Sequence, residues 1–145
     1  MEIFTIGFTQ KGAKNFFGML KDEKIKKLYD VRIHNASQLA GFAKKNDLEF
    51  FLKEICDADY FHFPELAPTK ELFNEYKKGE IIWEGYSDKF LNLISQRNVE
   101  RILKPEDYDE SCLLCSEHEP HFCHRRLVAE YLNEKGFNLK IKHLY

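Results

Sequence analysis

No apolar run in the 145 residues approaches the length of a membrane span, and the opening MEIFTIGF lacks the basic region and long apolar stretch of a secretory signal. The sequence therefore predicts a cytoplasmic protein with no membrane partner. It has no surplus of charge of one sign either: 22 basic against 24 acidic residues leave −2. That balance excludes a global field driving non-specific attachment to nucleic acid or acidic lipid, while a local nucleic-acid contact stays open. Repeats, low-complexity stretches and linkers are absent, and the length is that of one domain, so residues 1–145 are expected to share a single core. Cysteines are few, at 56, 112, 115 and 123. In a reducing compartment their even number does not argue for a disulfide framework.

What the chain does contain is material for a core: 43% hydrophobic residues, with 13 Phe and 7 Tyr. Glu2 to Ile6 is an apolar, β-branched run stopping at Gly7, and Lys11 to Lys21 then places Phe16, Phe17 and Leu20 on one helical face. Lys26 to Arg32 supplies a second strand, completing a βαβ unit. Ile33 to Lys45 has no period and reads as a loop. Asn46 or Asp47 is expected to cap a helix with Leu48, Phe51, Leu52 and Ile55 on its apolar face. Tyr60 to Phe63 reads as a third strand, and Glu65 to Lys78 and Tyr86 to Arg97 as helices. Ser111 to Cys115 is continuously apolar, as suits a strand covered on both faces. Cys123 to Lys135 is the last helix, stopped at Gly136, and Phe137 to Leu144 alternates apolar and polar residues like an edge strand.

Strands alternating with helices predict an α/β fold: a mainly parallel sheet with helices on both faces. Ligands of such sheets bind beyond the carboxyl ends of the strands. Those ends are Gly7-Phe8-Thr9, Asp30-Val31-Arg32 and Cys115-Ser116-Glu117.

The last of them opens the densest cluster of chemistry in the chain, CSEHEPHFCHRR, Cys115 to Arg126. It starts at a strand end and finishes at a helix N-terminus, where backbone N–H groups and the macrodipole favour an anion or a thiolate. Cys123 is thus expected to be an activated thiol, supported by His124 or Arg125. Both cysteines have an alternative as small buried packing residues. A zinc site using Cys115, Cys123 and two of His118, His121 and His124 is a second reading, disfavoured by the spacing. Cys112 cannot join Cys115 on a metal, because residues three apart on a strand face opposite ways.

Asp30 and Arg32, two apart, share a strand face and form either a structural ion pair or part of a site. Gly7 allows a sharp turn or the close approach of a ligand to the main chain. Thr9 reads as a helix N-cap, and His62 as a packed histidine or a pocket wall.

Taken in order, TIGFT (Thr5 to Thr9), DVR (Asp30 to Arg32), FHFPELAPT (Phe61 to Thr69) and LLCSEHEPHFCHRRLVAEYL (Leu113 to Leu132) resemble the signature blocks of the domain-of-unknown-function 488 family. Gly7, Asp30, Arg32, His62, Pro64, Leu66, Cys115, Glu117, Pro120, Cys123, His124 and Arg125 match its pattern. Phe8 stands where the family usually has His, Thr9 where it has Ser, and Asn35 where Pro is frequent, although Ser37 fits. The resemblance implies an α/β fold and a divergent member, and it supplies no reaction.

The sequence thus points to an enzyme acting on an anionic small molecule, phosphorylated or nucleotide-like. Cys115, Glu117, Cys123 and Asp30 are the expected catalytic groups. Gly7, Thr9, Arg32, His62, His124 and Arg125 are expected to bind substrate, with Arg32 and Arg125 as bidentate anion holders. The competing reading is a non-catalytic module in which the Cys/His cluster binds metal or staples the last helix, leaving the surface for a protein or nucleic-acid partner. Neither a cofactor nor an oligomeric state is specified by any residue pattern.

Overall fold

From its first residues the chain alternates strand and helix: β1 (Glu2–Gly7), α1 (Ala13–Asp22), β2 (Lys27–Asp30), α2 (Lys45–Phe51), β3 (Asp59–His62), α3 (Lys70–Lys77), α4 (Trp83–Gln96), α5 (Pro105–Tyr108), β4 (Ser111–Cys115), α6 (His124–Glu134) and β5 (Lys140–Leu144). The computed structural model describes residues 1–35 and 41–145. The middle of the expected Ile33 to Lys45 loop, with Ser37, lies outside them. All strand pairs are parallel, in the order β3-β2-β4-β1-β5. The α/β fold class is therefore as the sequence implied.

β4 is central and buried along its whole length, and β5 is an edge. Its alternation divides the core. Cys112 and Leu114 join Phe4, Ile6, Phe16 and Leu20 under α1 and α2. Leu113 and Cys115 join Tyr86, Phe90, Leu127 and Val128 under α4 and α6. Cys112 and Cys115 thus belong to opposite faces, as strand geometry requires. Because β4 slots between β1 and β2, the ends of those three strands lie side by side, and that adjacency builds the site.

Several local expectations are corrected. Thr9 is not a helix cap: α1 begins at Ala13 after Gly12, and the Thr9 hydroxyl donates to Ser116 O at 2.7 Å. Lys44 occupies the N-cap of α2, so Asn46 and Asp47 are inside the helix, which ends in a π-helical turn at Leu52–Cys56. The expected Glu65 to Lys78 helix is broken into a 3-10 turn at Pro64–Leu66 and α3. Thr69 caps α3, accepting from Leu72 N–H at 3.1 Å. β2 ends at Asp30, two residues early, and β5 starts at Lys140, three residues late. The turn at Val99–Arg101 and the short α5 carried no periodic signal.

β5 is also tied through side chains. Thr5 Oγ1 and His143 Nδ1 are hydrogen-bonded at 2.6 Å, and Thr5 Oγ1 accepts from Arg125 Nε at 3.2 Å. Burial first, and then the charge of Arg125, lower the His143 pKa from 6.5 to about 4. The native imidazole therefore stays neutral while the unfolded one protonates. Stability contributed above pH 6.5 is lost as pH falls toward about 4. Urea unfolding midpoints should decline across that window, and His143→Gln should flatten the decline. An unchanged slope in the variant would assign the acid sensitivity elsewhere.

Candidate functional site

The loops after β1 and β4 continue past the sheet as a seam. Phe8 N–H donates to Cys115 O at 3.3 Å and Thr9 N–H to Ser116 O at 3.2 Å. Gly7 is required there, since a Cβ on it would sit 1.5 Å from the carbonyl oxygen of Glu117. Arg125, fully buried at the start of α6, holds the same loop: Nη1 donates to Glu117 O at 2.6 Å and Nη2 to His118 O at 3.2 Å. With Nε on Thr5, every nitrogen of this guanidinium is committed to protein acceptors. Arg125, expected as an anion holder, is fully buried and does not line the cavity beyond the strand ends; three of its five N–H groups hold the Cys115 loop and Thr5.

Asp30 is likewise absent from the cavity lining. It is completely buried, and its carboxylate accepts from Arg32 N–H, Nε and Nη2 at 3.1, 2.9 and 2.8 Å and from the Tyr60 hydroxyl at 2.6 Å. These four donors hold the carboxylate away from the cavity lining. Arg32, also buried, donates to Ala43 O at 2.7 Å and lies over the Phe8 ring at 5.3 Å. The ion pair presents the Arg32 side chain to the cavity. His62 does not line that cavity: Nε2 donates to Arg32 O at 2.9 Å.

The cavity, about 680 Å³, opens beyond the strand ends. Cys115 and His124 line it, with Thr9, Lys11, Arg32, His34, Lys77, Ser116 and Glu117 and the rings of Phe8, Phe42 and Phe73 on its walls. A recess of about 20 Å³, sharing the Cys115 wall with it, is lined by Cys115, Cys123 and His124 and by the exposed Phe122. By the rule that a water needs roughly 10–15 Å³, the recess has room for about one small atom group.

His124 Nε2–H donates to Val31 O at 2.6 Å, and this fixes the ring so that Nδ1 faces Cys115 Sγ at 3.6 Å. A backbone carbonyl here plays the orienting part that a carboxylate or amide plays in other Cys/His pairs. The Cys115 thiol is pulled well below its usual pKa, first by the Cys123 thiol beside it and then, against the opposing effect of burial, by His124 and Arg125. Cys123 moves the other way, raised by burial and by the negative sulfur beside it. Burial would depress His124, but the Cys115 charge and hydrogen bond reverse this and raise it. These directions favour negative charge on Cys115 over Cys123 and positive charge on His124 beside it.

Between the two sulfurs expected to carry chemistry, that distribution favours Cys115 over Cys123. Cys123 does precede α6, yet the helix terminus acts on both sulfurs, and the one facing the imidazole takes the charge. Cys112, fully enclosed on the other face, is pushed up by burial.

Three site residues carried no sequence signal. Lys77, from the end of α3, donates to Glu117 Oε1 at 2.7 Å. Lys11 lies 3.0 Å from His118 Nδ1, and burial followed by the charge of Arg125 lowers its pKa. His34 adds an imidazole to the wall. Lys11 sits two residues past Thr9, so its place on the first rim loop was the only available hint.

Cys115 Sγ, Cys123 Sγ and His124 Nδ1 all lie within 4.8 Å of one another and could hold a soft cation. His121 is exposed beside Glu119 and His118 faces Lys11, so neither completes the four-ligand zinc set considered from sequence.

Among known proteins, a family model described as Domain of unknown function DUF488 matches residues 12–132. No curated protein and no solved structure matches. The matched span covers most of the chain, from just before α1 to the last turn of α6, and the chain belongs to that family.

Proposed function

We propose that this member of the DUF488 family is an enzyme in which the Cys115 thiolate attacks an electrophilic centre of an anionic substrate, phosphorylated or nucleotide-like. The observation that carries the reading is the position of the Cys115–His124 pair on the wall of a cavity whose other polar lining includes Lys11, Arg32 and Lys77. Lys11 and Lys77 take over the anion-holding part first expected of Arg125. Both are flexible amines at the cavity edge, and Lys11 has no carboxylate partner among its described contacts. The Phe8, Phe42 and Phe73 rings suit a flat apolar group such as a base. Glu117, half-exposed and lining the cavity, is the group placed to give or take a proton once Lys77 turns to the substrate.

Protection from alkylation tests this reading without knowledge of the true substrate. Inorganic phosphate, a sugar phosphate and a nucleoside monophosphate are each added before a limiting dose of iodoacetamide. At least one should slow modification of Cys115 severalfold, and the Lys11→Ala, Lys77→Ala double variant should lose the protection. Absence of protection by any of the three at millimolar concentration would count against an anion pocket.

One observation favours a second reading. The 3.6 Å from Cys115 Sγ to His124 Nδ1 equals the edge of a tetrahedron with Zn–S about 2.3 Å and Zn–N about 2.0–2.1 Å. The His124 bond to Val31 O has the form of the outer bond of a metal-bound histidine. On this reading the cluster staples β4 to α6 and the module is non-catalytic. Zinc retained at one equivalent by the purified protein, with Cys115 inert, would favour it; a metal-free protein with a fast-reacting Cys115 would not.

A further inference from the structure

We infer that Cys115 and Cys123 form a dithiol–disulfide couple whose oxidant is a hydroperoxide entering through the cavity. The inference rests on the Cys115 reading above and adds a redox reaction to it.

Access assigns the roles. Cys115 lines both the large cavity and the recess, whereas Cys123 lines only the recess. An oxidant of a few atoms that enters through the large cavity therefore meets Cys115 first. Position excludes the other thiols: Cys112 lies on the opposite face of β4, and Cys56 donates to Phe17 O in the other layer.

The geometry also allows the second step. The two sulfurs lie within 4.8 Å, and a disulfide needs them at about 2.05 Å. Cys123 has an extended backbone, φ −133° and ψ 137°, immediately before α6, and its side chain makes no capping bond. Its sulfur can approach Cys115 without breaking the helical ladder. The intervening residues, 116–122, form a loop rather than a helix or strand.

In the first step the Cys115 thiolate attacks one peroxide oxygen. The O–O bond breaks, an S–O bond forms, and the alcohol or water leaves with a proton, giving Cys115 sulfenic acid. Cys123 then attacks the Cys115 sulfur. The S–S bond forms, the S–O bond breaks, and the Cys123 proton departs with the oxygen as water. Two thiols and one hydroperoxide thus give one disulfide, one alcohol or water, and one further water. A dithiol reductant reaching Cys115 through the cavity returns both thiols and becomes a disulfide itself. While oxidised, Cys115 has no thiolate to attack a substrate, so the couple also switches the proposed activity off.

The test uses the whole protein and hydrogen peroxide near neutral pH, read by mass spectrometry. The expected product has lost two hydrogens, its titratable thiols falling from four to two, with Cys115 and Cys123 in one cross-linked peptide. Cys123→Ser should instead accumulate Cys115 sulfenic acid, trapped by dimedone. The untreated parent carries the decisive reading, so a folding defect in the variant does not blunt the test. Cys115 passing to sulfinic acid while Cys123 stays a thiol would overturn the inference, as would a disulfide to Cys56. If Cys115 alkylates rapidly yet never cross-links, only the redox couple fails; if it neither alkylates nor oxidises, the nucleophile reading fails with it.

Discussion

Replacing Gly7 by Ala should cost about 3 kcal/mol or more and should misplace Cys115 even if the protein still folds. Overpacking a filled interior by a methyl group typically costs about 1–3 kcal/mol because side chains can shift. Here the obstacle is backbone: the new Cβ would stand 1.5 Å from Glu117 O and 3.1 Å from Arg125 Nη1. Relief requires the 115–118 loop to move outward, which stretches the Arg125 bonds to Glu117 and His118 and the Thr9 bonds to Ser116. Charge-assisted bonds of this kind contribute about 1.5–3 kcal/mol each, so strain on either side of the seam is expensive. Thermal or urea unfolding should show the loss, and Cys115 alkylation should slow in whatever folded protein survives. A Gly7→Ala variant as stable and as reactive as the parent would mean that the seam is far more yielding than described.

The parts of this arrangement written in local pattern were legible in the sequence. Continuous apolarity marked Ser111 to Cys115 as the central strand, and alternation marked the last strand as an edge. The rim was legible too, because strand ends in a parallel sheet share one side. Long-range bonds to backbone acceptors were not. Arg125 looked like an anion holder because the oxygens that satisfy it belong to the peptide groups of residues 117 and 118, and a carbonyl has no letter in a sequence. Thr9 obeyed its tertiary partner Ser116 rather than its capping propensity, and Val31 O, 93 residues from His124, orients the ring. Asp30 looked chemical for the same reason that buried ion pairs do: its companion Tyr60 lay on another strand. Lys77 reaches Glu117 across 40 residues, a separation that no periodicity reports.

Which of Cys115 and Cys123 carries the charge was not legible in the sequence. A helix N-terminus favours a thiolate, but two sulfurs within 4.8 Å at one buried site cannot both ionise cheaply. The proton goes to the sulfur without an imidazole, and only the fold decides which that is.

The account turns on where that charge sits, and the order in which the four cysteines react measures it. Near pH 7 an ordinary thiol is only a few per cent ionised, so a largely ionised one carries roughly thirtyfold more nucleophile. Part of that gain is lost to the lower nucleophilicity of a stabilised thiolate, and part to the 4% exposure of Cys115. A limiting dose of iodoacetamide, followed by digestion and mass spectrometry, should therefore modify Cys115 about tenfold faster than Cys56, with Cys112 and Cys123 slower still. Lowering the pH from 8 to 6 should slow Cys56 in proportion to its falling thiolate while Cys115 loses much less. Labelling of all four at one rate, and only on unfolding, would contradict the thiolate on Cys115 and leave Glu117 as the remaining candidate for chemistry at this rim.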